Sequence, residues 1–328
     1  MPIPWNRFTE LVRSHDRFLL TSHIRPDCDA LGSELGMAGV LEALGKHVLI
    51  VNAQQTPPNL AFIDPERKLR TLGVNVELRE LETCEVLLVL DTSAWAQLGT
   101  MGEVIRASKA HKAILDHHVG EDDLEAELFK DPHAEATGRL VLDAARHLGV
   151  RITPEIARPL FAAIATDTGW FRFNSTTGTT YRAGAELVDA GAVPCEIYAS
   201  LYEQDSLARL TLRGRILART KTELDGRLAH TAALKQDFVE TGAHASDTED
   251  VVNMTLAVAG TDAAIILVEQ PTGGFKISFR SRTPLLDCSE LAKQFGGGGH
   301  KAAAGGFTNA PWPEAQTLVL DAVRKWMR

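Results

Sequence analysis

The sequence predicts an α/β protein in two parts: a mainly parallel sheet flanked by helices, joined by a helical linker to a smaller α/β domain. Three observations predict this. Short apolar runs alternate with helix-like stretches of ten or more residues through the first half, the pattern of βαβ units. Residues 194–217 then change character, with few strand formers and scattered arginines, which suits a connector. Strand-like alternation resumes beyond it. At 328 residues the chain has the length of about two domains, and the boundaries read as 1–193, 194–217 and 218–328.

The elements follow in order. Residues 17–22 (RFLLTS) read as a buried strand, and 30–44 as a helix closed by Gly45. Residues 48–51 (VLIV), 86–90 (VLLVL) and 113–115 (AIL) read as further strands. Helices are expected over 137–148, ending at Gly149, over 159–166, and over 179–190, ending at Gly191. One helix over 194–219 makes the connector. Beyond it, 228–233 and 263–269 read as strands and 249–259 as a helix, while Gly273 and Gly274 turn the chain into a strand over 275–282. That strand alternates strictly, with Phe275, Ile277 and Phe279 on one face and Lys276, Ser278, Arg280 and Arg282 on the other. Lys301 to Ala304 read as the start of a helix whose N-terminal dipole favours phosphate.

Composition narrows the function classes. With 45% apolar and 23% charged residues the chain is an ordinary globular protein. Its net charge is −9, with most of the excess before residue 218, so a polybasic surface for long duplex nucleic acid or anionic lipid is not expected. The N-terminus lacks a basic stretch followed by an apolar one. No apolar run approaches the roughly 20 residues of a membrane span. Cys28, Cys84, Cys195 and Cys288 lie far apart without a C-x-x-C pair. This argues against a zinc site and a disulfide framework, and suggests a reducing, cytoplasmic setting.

The ionisable residues gather where strands end. After RFLLTS come His23, Asp27 and Asp29; after VLLVL comes Asp91-Thr-Ser; after AIL come Asp116, His117 and His118. Asp167 closes the helical run PLFAAIAT. In a parallel sheet such groups project into one crevice beyond the carboxyl ends of the strands. Each element alone has an ordinary structural reading, since aspartates favour turns and helix N-termini. Together they form a set of carboxylates and imidazoles with no thiolate, suited to Mn²⁺, Fe²⁺, Mg²⁺ or Zn²⁺, and its carboxylate majority favours the harder ions. Four aspartates so crowded repel one another unless divalent cations neutralise them, which points to a two-metal site.

The motifs His23-x-x-Pro-Asp27-x-Asp29-Ala-x-Gly-Ser, Asp91-Thr-Ser, Asp116-His117-His118 and Thr166-Asp167-Thr168-Gly169 resemble those of the DHH phosphoesterase family. The run Gly296 to Gly299 with His300-Lys301-Ala302-Ala303-Ala304-Gly305 resembles the signature of the domain that accompanies DHH domains. The compact layout is similar to the branch of oligoribonucleases and 3′-phosphoadenosine-5′-phosphate (pAp) phosphatases. The resemblance implies that His23, Asp27 and Asp91 hold one metal, and Asp29, Asp91, His117 and Asp167 the other, with Asp91 bridging. It further implies that His118 meets the scissile phosphate while Asp116 orients the histidines. Ser278, Arg280, Gly297, Gly298, Gly299 and His300 would bind the end nucleotide, Arg280 through paired hydrogen bonds to phosphate. Cys28 departs from the small residue usual in relatives and reads as a buried apolar side chain.

The implied function is hydrolysis of very short RNA, and of pAp to AMP, by hydroxide activated between two divalent ions, Mn²⁺ first, with Mg²⁺ or Fe²⁺ as alternatives. The active site would lie in a cleft between the domains whose limited length gauges the substrate, with long duplexes and membranes excluded as partners. Relatives of this kind are often homodimers. Two other readings stay open: hydrolysis of linear or cyclic dinucleotides, and a nucleotide-binding regulator without catalysis.

Overall fold

The computed structural model describes residues 3–120 and 122–327. They divide into two compact units that meet in sequence between Gln204 and Asp205. The first unit contains α1 (Trp5–Ser14), β1 (Arg17–Thr21), α2 (Cys28–Ala43), β2 (His47–Asn52), β3 (Leu69–Thr71), α3 (Leu78–Leu81) and β4 (Val86–Leu90). It continues with α4 (Met101–Ala107), β5 (His111–Asp116), β6 (Glu127–Lys130), α5 (Thr137–Leu148), α6 (Pro154–Asp167), α7 (Gly178–Asp189) and α8 (Pro194–Tyr202).

All six strands run parallel in the order β3-β2-β1-β4-β5-β6. The direction of winding reverses between β1 and β4, so the loops leaving these two strands diverge and open a crevice. Every residue of β4 is buried, because helices cover both faces of the sheet. Val86, Leu88 and Leu90 join the larger core beneath α1, α2, α5 and α6, while Leu87 and Val89 join the one lined by Leu98, Met101 and Ile105 of the opposite layer. Each such side chain contributes about 1.5–3 kcal/mol through burial, so the strand ends are held on a stiff base.

Two sequence expectations change here. The helix expected over 159–166 begins earlier, at Pro154, which takes the first helical position, and Pro159 lies inside it. The hydrogen bond that Pro159 lacks would have gone to the carbonyl of Glu155, an exposed residue of the first turn, where its loss is cheap. The single helix expected over 194–219 is two helices, because Glu203 ends α8 and Ser206 starts the next helix by accepting the Arg209 N–H on its side chain. α8 packs within the first unit, on α6.

The second unit contains α9 (Leu207–Ala218), β7 (Lys221–Glu223), β8 (Leu228–Ala233), α10 (Lys235–Thr241), α11 (Val251–Leu256) and β9 (Ala263–Glu269). β10 (Phe275–Ser281), α12 (Cys288–Lys293), β11 (Gly298–His300), β12 (Ala303–Thr308) and α13 (Glu314–Met327) complete it. Its sheet has the order β11-β12-β10-β9-β8-β7, with only the β8–β9 pair parallel. Phe275, Ile277 and Phe279 pack with Leu291 of α12 and Val319 of α13. On the other face, Ala264, Ile266 and Val268 of β9 lie under Leu212 of α9 and Val251 of α11, whereas Lys276, Ser278 and Arg280 of β10 remain exposed or half-exposed.

Residues 301–304 do not begin a helix. Lys301 and Ala302 form the turn between β11 and β12, and Ala303 pairs with both His300 and Arg280. Strand pairing along six residues of β10, with Gly305 and Gly306 next in line, overrides the helix propensity of three alanines. No helix dipole is therefore available at this point.

Candidate metal centre

The centre assembles where β1, β4 and β5 end and α2, α5 and α6 begin or finish. Asp27 caps α2 by accepting the Ala30 N–H at 3.0 Å, which holds Asp29 in the first turn. Asp29 is buried and accepts the Thr137 and Gly138 N–H groups of α5 at 2.8 Å each, with the Ser33 hydroxyl at 3.2 Å. The positive end of α5 thus faces this carboxylate. Asp91 follows β4 in the left-handed region, at φ 62°, and its Oδ1 accepts the Thr137 hydroxyl at 2.8 Å. A residue other than glycine in that region carries strain of the kind concentrated at functional sites.

Around Asp91 the histidines converge. His23 Nε2 lies 3.3 Å from Asp91 Oδ2 and 3.9 Å from Asp27 Oδ1. His117 Nε2 lies 3.6 Å from Asp91 Oδ1, 3.6 Å from Asp167 Oδ2 and 3.7 Å from Asp29 Oδ2. The Nδ1 atoms of both rings face carbonyl oxygens, His23 at 2.9 Å from that of Ile24 and His117 at 3.1 Å from that of Ala134. A carbonyl only accepts, so Nδ1 carries the hydrogen and Nε2 is left as a lone-pair donor, the usual orientation of a metal-binding imidazole.

Among the described residues the donor atoms form three groups, each with its atoms within 4.8 Å of one another: His23, Asp27 and Asp91; Asp29, His117 and Asp167; and Asp91, His117 and His118. The first two could each take an ion, and Asp91 stands between them, a member of the first through His23 and Asp27 and 3.6 Å through Oδ1 from His117 Nε2 of the second. The electrostatics favour cations. Burial pushes the Asp29 and Asp91 carboxyls up, Asp91 the more strongly with Asp29 and Asp27 beside it. Burial and the nearby Asp29 push Asp167 up to about 6. Such carboxylates need positive charge nearby to stay ionised, so the donor set fits a pair of hard divalent ions.

Asp116 and His118 have a different environment. Asp116 is completely buried, which alone would raise its pKa, but hydrogen bonds from the His118 ring and backbone and from Ser93 lower it to about 2. The His118 ring in turn is raised by that bond to Asp116. Cys28 is buried next to the site, and burial pushes its thiol up to about 12. It packs as an apolar side chain and offers no thiolate.

In the second unit, register collects the other sequence candidates. His300, Ala303 and Arg280 form one row across β11, β12 and β10, and Gly298, Gly305 and Ser278 form the next. Paired residues share a face, so small residues leave a shallow trough between the Arg280 and His300 side chains. Gly297 backs so closely on β12 that a Cβ there would lie 1.9 Å from the Gly305 carbonyl oxygen. Gly299 pairs with Ala304. Thr137, Gly138, Ser93 and Lys130 were not among the sequence candidates. Ser93 stands within the Asp91-Thr-Ser motif, but the other three have no signal before the helices and strands are placed.

A parallel sheet with this carboxylate and imidazole set at its switch point defines a metal-dependent phosphoester hydrolase. Residues 17–164 match the N-terminal domain of the DHH family and residues 229–328 match the DHHA1 domain; the chain belongs to the DHH family. It is 32% identical, over 93% of its length and 89% of the relative's, to the bifunctional oligoribonuclease and PAP phosphatase NrnA of Thermus thermophilus. It is 28% identical to the protein of the same name from Bacillus subtilis, over 95% of this chain and 96% of that one. Among solved structures it resembles an exopolyphosphatase-related protein from Bacteroides fragilis, with a TM-score of 0.86 and 27% identity over 98% of this chain and 96% of the other.

Proposed function

We propose that this protein hydrolyses very short RNA oligonucleotides to mononucleotides and removes the 3′-phosphate of pAp to leave AMP. The observation that carries the reading is the place of Asp91, which belongs to the donor group of His23 and Asp27 and lies 3.6 Å from His117 Nε2 of the neighbouring group of Asp29 and Asp167. His23, Asp27 and Asp91 would hold one ion, and Asp29, Asp91, His117 and Asp167 the other. Mn²⁺ suits this set of imidazoles and carboxylates, with Mg²⁺ and Fe²⁺ as the alternatives to be compared. Bound divalent ions supply hydroxide at neutral pH and stabilise charge on the phosphoryl oxygens.

The chain's own groups do the rest. Asp116 holds the His118 ring by Nδ1 at 2.8 Å, so Nε2 is the atom that meets the scissile phosphate. Arg280 and His300 grip a phosphate of the end nucleotide, Ser278 adds a hydroxyl, and Gly297, Gly298 and Gly299 let backbone approach the ligand closely. No helix among the described residues is long and apolar enough to cross a membrane. The four cysteines are unpaired, which supports a reducing, cytoplasmic setting, and a homodimer is the assembly we propose.

The test offers purified protein and Mn²⁺ with labelled 2-mer, 5-mer and 24-mer RNA, pAp and a cyclic dinucleotide. Rapid loss of the 2-mer, 5-mer and pAp with slow loss of the 24-mer is expected, and Asp91→Ala should abolish all of it. Manganese-dependent hydrolysis surviving in Asp91→Ala would overturn the assigned centre. Preference for the cyclic dinucleotide would overturn the substrate.

A further inference from the structure

The Asp116–His118 pair rests on a polar group that the motifs do not mention. Lys130 ends β6, the edge strand, in register with Asp116 at the end of β5. Its side chain is only 9% exposed. The ammonium nitrogen lies 2.6 Å from Ser93 Oγ, 2.6 Å from the Gly120 carbonyl oxygen and 3.3 Å from Asp116 Oδ2. Ser93 Oγ in turn lies 2.8 Å from Asp116 Oδ2 and 2.8 Å from the same Gly120 oxygen.

Hydrogen counting gives this cluster a direction. A serine hydroxyl has one hydrogen and two lone pairs, whereas a lysine ammonium has three hydrogens and accepts nothing. Ser93 therefore has two acceptors at equal distance and can serve only one. Lys130 must donate to Ser93 and to Gly120 wherever it lies within hydrogen-bond distance of them. Its bond to Gly120 supplies that carbonyl, and its bond to Ser93 occupies a hydroxyl lone pair. The single Ser93 hydrogen is then directed to Asp116 Oδ2. Asp116 Oδ1 is left to receive the His118 backbone N–H at 3.1 Å and the ring Nδ1 at 2.8 Å. A carboxylate buried this completely needs these donors and the nearby cation to keep one orientation.

We propose that Lys130 is a positioning residue for the hydrolytic reaction. By orienting the Ser93 hydroxyl and the Asp116 carboxylate, it holds the His118 ring with Nδ1 inward and Nε2 presented to the substrate phosphate. The last step rests on the reading that His118 meets that phosphate. Lys130 touches neither substrate nor metal in this scheme, so the rate it supports should depend on the presence of His118.

The experiment combines kinetics with a measurement that needs no substrate. Lys130→Met keeps the length of the side chain and removes its donors. A fall in kcat of about 10–100-fold is expected, the usual effect of losing an outer partner, with KM and the number of bound Mn²⁺ ions unchanged. Lys130→Arg should recover most of the rate. In the His118→Gln background, Lys130→Met should cause no further loss. Nitrogen-15 imidazole spectra should show a hydrogen-bonded His118 Nδ1–H in the unaltered protein that is lost or shifted in Lys130→Met. If that variant does not fold, Ser93→Ala must give the same spectral change and the same dependence on His118. Unchanged kcat and an unchanged His118 signal would overturn the proposal, as would an equal loss in both backgrounds. Absence of hydrolysis of short RNA and pAp by the unaltered protein would overturn the functional reading instead, and the spectra alone would then decide the role of Lys130.

Discussion

A Cβ added to Gly32 would lie 2.5 Å from the carbonyl oxygen of Pro159, so α2 and α6 touch backbone to backbone. Gly36 and Gly39 continue the stripe against Leu160 and Ile156. These helices carry Asp29 and Asp167, which both approach His117. The helix separation is thereby a dimension of the candidate centre. Gly32→Ala should force α6 outward, costing about 1–3 kcal/mol and weakening Mn²⁺ binding. Urea unfolding and metal titration of the same variant check both effects. Lower stability with unchanged metal affinity would show that the stripe serves packing alone.

The carboxyl pKa directions make a pH prediction. Asp29, Asp91 and Asp167 are raised above 3.8, Asp167 to about 6. Without metal the folded state keeps protons that the unfolded chain releases, so stability falls as pH rises from near 3.8 through about 6. With Mn²⁺ the same groups serve as anions and binding strengthens with pH. Thermal unfolding in chelator should therefore show a falling midpoint across that window, and excess Mn²⁺ should remove the fall.

Glu34 lies fully buried in α2, where burial raises its carboxyl from 4.5 to about 8. It accepts the Asn52 amide at 2.8 Å, and the Ser22 hydroxyl also approaches the carboxyl. Asn52 Oδ1 accepts the Ser22 N–H at 3.1 Å, one residue before His23. The raised pKa means stability is lost as pH rises from about 4.5 to about 8. Glu34→Gln should flatten that dependence and be the more stable protein at the alkaline end, by on the order of 1–3 kcal/mol. Parallel denaturation series of the two proteins test this.

Arg280 gives the prediction for the second unit. Arg280→Ala should raise KM for pAp by roughly 10–100-fold, the worth of hydrogen bonds to a charged group, with a smaller change in kcat. Arg280→Lys should recover only part of the affinity, because an ammonium cannot match a paired guanidinium contact. Steady-state kinetics on pAp and on adenosine 3′-monophosphate separate the phosphate grip from the chemistry, and equal KM in all three proteins would remove Arg280 from the site.

Much of this was legible in the chain. The run VLLVL forms β4 with the bounds its apolar character suggests, as expected of a strand covered on both faces; LAHTAA likewise forms β8 with the expected bounds, although His230 and Thr231 are buried within it. Gly149 closes α5 at φ 74° because glycine adopts that conformation without strain. The alternation of β10 placed Ser278 and Arg280 on one face before any register was known. The alanines after His300 favour helix locally, but a helix there would forfeit the ladder from Ala303 to Thr308 against β10, and local propensity carries no information about that partner.

The groups at the strand ends can be read from the chain alone: His23, Asp27, Asp29, Asp91, Asp116, His117 and His118, with Asp167 closing a helix. Strand and helix periodicity are local properties of the chain, and so is the chemistry of its side chains. The support of those groups comes from packing between distant segments. The α5 amides on Asp29, the Thr137 hydroxyl on Asp91 and the Lys130–Ser93 contact behind Asp116 join segments between 37 and 109 positions apart. Such partners are selected by where the sheet order and helix packing bring them, and a donor's position along the chain does not reveal its neighbour in space.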